Sequence, residues 1–472
     1  MNNRNPESFV VKITLLLAST FIVMVTASIA PALPAIHANF AESSDAAFLV
    51  RLVLTLPSLF IAATSPVAGS IVDRIGRKTV LVVSTLAFGV AGVAGYFAPT
   101  LTSLLVSRAL LGIAVGAAST TVTTLIADYY TGAARGRFMG LQAAFMGFGA
   151  TVFLAVSGVL ADVGWRVPFL THAISFVALP LILLALYEPS RADQCEEKPH
   201  LVSGPAECVA ESIRARRGVQ PMDPAAPSPP IGFFLFVYLV MMASQTVFFL
   251  IPVQFPFYLL DLTGASASQS GLAISVMSVF YALASLQYGR VASRFDHFRV
   301  FTAAFALIGV GYLLIWLAGG WALLLLGLLL GGTGLGLLMP NLSVWLADET
   351  PPALRGRVMG GLTTALFLGR FLSTIVSQPL GARVGLGGLF LGVGGAMLVI
   401  ASLFWVTRSR LRSLTSRPFR EAETREVGMG PVGLRGQPED QNPIASTRGE
   451  PASPSSRRPS HGTRAEEPLS AR

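Results

Sequence analysis

Charge is scarce in this chain: Asp, Glu, Lys and Arg make up 12% of its 472 residues, against about 25% in a typical soluble domain. With 53% of the residues hydrophobic, a water-soluble fold of this size could not hide the apolar surface it would carry. Cysteine is rarer still. Cys195 and Cys208 give no disulfide framework, and without ligand partners nearby they make no zinc site; they are expected to be inert thiols. Nucleophile elbows, phosphate loops and metal-ligand clusters are all missing, so no enzyme, no cofactor and no metal is expected. The net charge of +9 comes without aromatic-interleaved basic modules, which argues against a nucleic-acid partner.

What the chain does have is long apolar runs. A membrane-spanning helix needs roughly 20 mostly apolar residues, and twelve such runs occur, near 10–35, 49–71, 79–97, 102–126, 138–160, 167–187, 232–260, 268–290, 298–317, 321–347, 357–381 and 387–407. They are continuous rather than alternating, which selects helices over β-barrel strands. The first run exceeds a secretory h-region of about 7–15 residues and reads as a retained helix. Lys and Arg set the orientation. Arg74, Arg77, Lys78, Arg135, Arg137, Arg290, Arg294, Arg299, Arg355 and Arg357 fall in alternate short loops, and the other loops hold few such residues beyond Arg51, Arg166 and Arg383. Both termini are therefore expected in the cytoplasm and the protein in the plasma membrane.

The runs come in two copies. Ala127, Asp128, Arg135, Gly136, Arg137, Met139 and Gly140 recur 220 residues later as Ala347, Asp348, Arg355, Gly356, Arg357, Met359 and Gly360. At the same offset Gly112 and Gly116 fall on Gly332 and Gly336, and Gly69 and Arg74 on Gly289 and Arg294. One offset held across three segments is an internal repeat. The expected domains are a six-helix bundle at 1–187, a Pro-rich linker at 188–230, a second six-helix bundle at 231–407, and a tail at 408–472 too polar to fold. The fold class is an all-α membrane protein of two pseudo-symmetric bundles.

This arrangement resembles the major facilitator superfamily. The resemblance rests on Gly69-x-x-x-Asp73-Arg74-x-Gly76-Arg77-Lys78 between spans two and three, Arg108-x-x-x-Gly112-x-x-x-Gly116 in span four, the Arg-Gly-Arg loop after it, and Trp165-Arg166 with Phe169 before span six. It implies a gate: Asp73 near the start of span eleven, and Arg77 paired with Asp128, bridging the halves when the cytoplasmic side is shut. The second copy is decayed, with Ser293 in place of the acid and Asp296 and His297 where Gly76 and Arg77 would fall. In span five, Gly147-Phe148-Gly149-Ala150 lacks the proline usual in drug–proton antiporters of the family. The resemblance also implies a monomer, a small organic substrate, and protons as a possible coupling ion.

Ionisable residues at membrane depth are costly and usually functional. Arg108, His172 and Arg370 qualify, and no carboxylate falls in the central third of any span. Guanidinium groups bind carboxylate and phosphate through two donors, so an anionic or amphiphilic cargo is expected. Arg370 is expected to face a cavity between the halves, together with Gln245, Gln254, Tyr281, Asn341 and Gln378. Arg108 is either a cavity residue or a pin between helices, and His172 a packed residue or a relay. Asp45 and Asp261 are the remaining candidates for a proton carrier. The expected function is secondary transport by alternating access, as efflux. An uptake facilitator or symporter for organic anions, and a non-transporting sensor or scaffold, are the other readings; the intact Asp73 motif argues against the scaffold.

Overall fold

The computed structural model describes residues 6–43, 45–188, 231–351 and 354–415, without the side chains of Ala133 and 408–415. The linker beyond Glu188 and the tail beyond Thr415, with Cys195 and Cys208, lie outside them. Among the described residues there is no strand, and eleven helices are long and apolar enough to cross a membrane. They are α1 (Phe9–Asn39), α2 (Ala46–Ile75), α3 (Arg77–Phe97), α4 (Leu101–Tyr129), α5 (Ala134–Val163), α6 (Val167–Ala185), α7 (Ile231–Thr263), α8 (Ala267–Ala292), α9 (His297–Leu317), α10 (Trp321–Asp348) and α11 (Arg355–Thr407). Helices suit lipid because each satisfies its own backbone polar groups.

The last two expected spans are the two arms of α11. They meet at Gly385, which takes φ +76°, a conformation that glycine adopts without steric cost. No loop separates them, so the twelve apolar runs lie on eleven helices, the last kinked at Gly385. Elsewhere the boundaries follow local chemistry. Thr100 and Ser103 form a reciprocal capping box at the start of α4, and Ser266 and Gln269 form another at the start of α8, each satisfying amides that a helix start leaves open. Gly76, at φ +106°, makes the tight turn from α2 into α3.

The repeat reappears as packing. A Cβ on Gly112 of α4 would sit 2.5 Å from the Pro57 carbonyl oxygen of α2, and one on Gly332 of α10 would sit 2.4 Å from that of Met277 in α8. Gly116 meets Ile61 and Thr64, while Gly336 meets Tyr281 and Ala284. Every contact is carried from one half to the other by the offset of 220. Small residues let membrane helices approach this closely. The other face of α10 packs on α9, Gly327 against Gly311 and Gly334 against Ala304.

Two main seams join the halves, α2 with α11 and α5 with α8, with smaller contacts of α7 against α1 and α2, whereas α3, α6 and α9 make their main contacts within their own half. Along α5 the seam is tight at one end. A Cβ on Gly158 would lie 2.7 Å from the Ala267 carbonyl oxygen, and one on Gly147 2.8 Å from Ala282. Gly140 and Gly136 face open space. The halves therefore diverge toward the end bearing the Arg-Gly-Arg loops, called here the basic end. Gly69 on α2 also faces open space there, and the close approaches to α2 are made by Gly112 and Gly116 of α4.

Candidate functional site

Between the diverging halves lies a cavity of about 810 Å³, with Arg135 and Arg357 toward its rim and Ile22 and Phe367 among its lining. Its walls are rich in hydroxyls: Ser119, Thr120, Thr123 and Thr124 from α4, Thr363 and Thr364 from α11, and Ser65 from α2. These hydroxyls donate back to carbonyls three or four residues earlier in their own helices, as Thr120 does to Gly116 at 2.9 Å and Thr364 to Gly360 at 3.1 Å. That bond is why such residues are tolerated inside a membrane helix, and it leaves oxygen lone pairs for water or cargo.

Deeper in, a pocket of about 80 Å³ is bounded by Ile22, Phe248, Phe249, Met277, Ser278 and Arg370 among others. Ile22 borders both spaces. Arg370 donates through Nε to Gln245 Oε1 at 3.0 Å, and its guanidinium lies 4.8 Å from the Phe249 ring centre and 5.2 Å from that of Phe367. Tyr281 stands beside Phe248, with ring centres 5.4 Å apart. No Asp or Glu lines either space among the described residues. The arrangement is a guanidinium held in an aromatic cage, with one nitrogen anchored by an amide, above a hydroxyl-lined vestibule. It can bind an anionic group.

The opposite end is closed by a polar knot. Arg51 of α2, 6% exposed, donates from Nε to Gln254 Oε1 at 2.7 Å and packs 3.9 Å over the Phe257 ring. Gln254 passes its own amide to Ser377 Oγ at 2.9 Å. Thr374 bonds Thr55 at 2.9 Å and the Arg51 carbonyl at 3.3 Å. On the other seam, Asp162 of α5 accepts the Ala267 and Ser268 amides at 2.8 and 3.2 Å. It is a carboxylate at the start of α8, where the helix dipole favours it.

The Major Facilitator Superfamily family model matches residues 15–259 and again 237–456. The chain belongs to the major facilitator superfamily. It is 27% identical over 359 residues to the class C tetracycline resistance protein of Escherichia coli, covering 74% of this chain and 83% of the relative. It is 26% identical over 392 residues to the multidrug resistance protein MdtG of Enterobacter lignolyticus, covering 80% and 86%. The solved structure of a D-xylose–proton symporter shares the fold, with a TM-score of 0.66, 18% identity, and coverage of 84% of this chain and 98% of that one.

Within this superfamily fold the hallmark loop occupies the basic end. Arg77 Nε donates to Asp128 Oδ2 at 3.0 Å, and Arg77 also lies 3.5 Å from Asp73. Asp73 and Arg74 are exposed. Glu188, which the sequence reading passed over, accepts the amides of Arg77 and Lys78 at 2.8 Å each, capping the start of α3. Lys78 donates to the Leu183 carbonyl at 2.7 Å. Arg137 is exposed, and Arg355 donates to the Thr350 carbonyl at 3.0 Å.

Several expected cavity residues stand elsewhere. Gln254 belongs to the knot, because its turn of α7 faces Arg51. Asn341 lies near the basic end of the second half, holding Tyr288 and His297. Gln378 lines neither space; its neighbour Ser377 is the one turned inward. Arg108 is fully buried against the Ala91 and Gly92 carbonyls and over Phe169, which makes it a pin rather than a cavity residue. His172 packs beside it and bonds the Phe169 carbonyl at 3.0 Å.

Proposed function

We propose that the chain is a secondary transporter that exports amphiphilic or anionic small organic molecules by alternating access, and that the basic end faces the cytoplasm. The observation that carries this reading is Arg370, caged by aromatic rings above a carboxylate-free vestibule that widens toward Arg135 and Arg357. Cargo enters from the basic end through the vestibule and places its anionic head against Arg370. The 80 Å³ pocket takes a head group, and the larger vestibule takes the body of a drug-sized molecule. When the halves rock, Asp73 meets the start of α11 and the knot at the far end parts. Two relatives named for resistance to tetracycline and to multiple drugs support export, since removal of a drug confers resistance. In this reading both termini are cytoplasmic and the two halves are separate rigid bundles.

A ligand that binds the folded state must stabilise it, so purified protein should gain thermal stability from aromatic carboxylates and from tetracycline, and little from the cation ethidium. Stabilisation by the cation alone, or by none of these compounds, would refute the anionic reading. The closed far end has its own test. In a chain with serine at Cys195 and Cys208 and cysteine at Ser278, a membrane-impermeant maleimide applied to intact cells should label slowly. Adding Arg51→Ala or Asp162→Asn removes charge-assisted bonds and should raise labelling about tenfold. An unchanged rate in both variants would show that the knot does not hold this end shut.

A further inference from the structure

The offset that carries Gly112 onto Gly332 carries Arg77 onto His297 and Asp128 onto Asp348. In the first half the pair is Arg77 and Asp128, 3.0 Å apart, with side chains only 7% and 10% exposed. In the second half the equivalent atoms, His297 Nε2 and Asp348 Oδ2, lie 3.9 Å apart, with the side chains 30% and 65% exposed. Where one half holds a guanidinium that is always charged, the other holds an imidazole, which is charged only when both ring nitrogens carry hydrogen.

The rest of the imidazole is already committed. Asn341 donates its amide to the His297 carbonyl at 3.0 Å, which fixes the orientation of that side chain. Its Oδ1 then accepts the Tyr288 hydroxyl at 3.0 Å and His297 Nδ1 at 2.9 Å. An amide oxygen only accepts, so Nδ1 carries the hydrogen and Nε2 of the neutral ring is a lone pair. That lone pair faces a carboxylate. A proton placed there turns a repulsive contact into an ion pair.

We propose that Nε2 of His297 is a proton-binding site whose occupancy anchors the corner between α10 and α11, doing conditionally what Arg77 does permanently in the first half. The groups that face it are Tyr288 from α8, Asn341, Trp345 and Asp348 from α10, Glu349 just beyond, and Asp296 and Arg299 beside it on its own side. Arg299 is turned to Asp296 at 3.3 Å, leaving Asp348, 3.9 Å from Nε2, and Glu349 as the carboxylates opposite the ring. Burial, and then the neighbouring Asp348, push the Glu349 carboxyl above its usual range, and His297 pulls it down. The corner matters because the loop that follows leads to Arg355 and Arg357, the second of which reaches the vestibule.

The test needs no substrate. Hydrogen–deuterium exchange of the 346–350 amides in the full-length protein is measured at pH 6 and pH 8 and corrected for intrinsic rates. These amides should be about two- to fivefold more protected at pH 6, the range a half-exposed ion pair supplies. The ratio should fall to one in Asp348→Asn and His297→Gln, and His297→Arg should be protected at both pH values. Glu349→Gln should keep the wild-type response. A wild-type ratio of one, a response retained in Asp348→Asn, or one lost in Glu349→Gln would each overturn the proposal. Asp348 is exposed, so its variant remains informative even where His297→Gln fails to fold.

Discussion

Arg370→Ala should weaken binding of aromatic carboxylates by at least about thirtyfold, since truncating one partner of a buried, hydrogen-bonded charge pair costs about 2–5 kcal/mol. The neutral amides of the same compounds should lose far less. Arg370→Lys should fall between, because an ammonium keeps the charge but lacks the planar fork that grips both oxygens. Gln245→Ala should act in the same direction but more weakly, as it frees the guanidinium from the bond that aims it. Isothermal titration with the carboxylate and amide of each pair separates the outcomes. Equal losses for acid and amide would mean that Arg370 shapes the pocket without reading charge.

Gly332→Val should be among the most destabilising single changes in the helical core, and Gly112→Val should match it. In each, the new Cβ would lie within 2.5 Å of a carbonyl oxygen on the neighbouring helix, and backbone cannot swing aside as a side chain can. Overpacking of this kind costs about 1–3 kcal/mol and occasionally more, and a branched side chain adds to it. Gly395→Ala is the control: nothing lies within 4 Å of its Cβ, so it should be neutral or stabilise by up to about 1 kcal/mol through helix propensity. Unfolding in mixed micelles reads all three. A mild effect at Gly332 beside a severe one at Gly112 would break the equivalence of the two halves.

Much of this was legible before any coordinates. Span boundaries follow from apolar composition, and ten of the twelve runs became separate helices because polar or turn residues punctuate them. The run ending at 381 and the run starting at 387 look separate in composition, and a single glycine, Gly385, joins them without a loop. The two-fold packing was legible as well, because the repeated glycines were identical in kind and spacing. The facing of side chains was not. Gln245 and Gln254 lie nine residues apart on one helix, which is two and a half turns, so they point to different neighbours; composition cannot say which one holds Arg370 and which one Arg51. Arg51 counts as an exception to the loop-charge pattern, yet it falls inside an apolar run. The cost of a charge at that depth was the signal that could have marked it as half of a contact.

Because the contacts between the halves run mainly along α2 against α11 and α5 against α8, with α7 meeting α1 and α2 at the knot, the outer helices α3, α6 and α9 stand apart from the surfaces that the proposed rocking would move. Their lipid-facing residues can drift to suit a thicker or thinner bilayer, or a different lipid mixture, without retuning the motion at the centre.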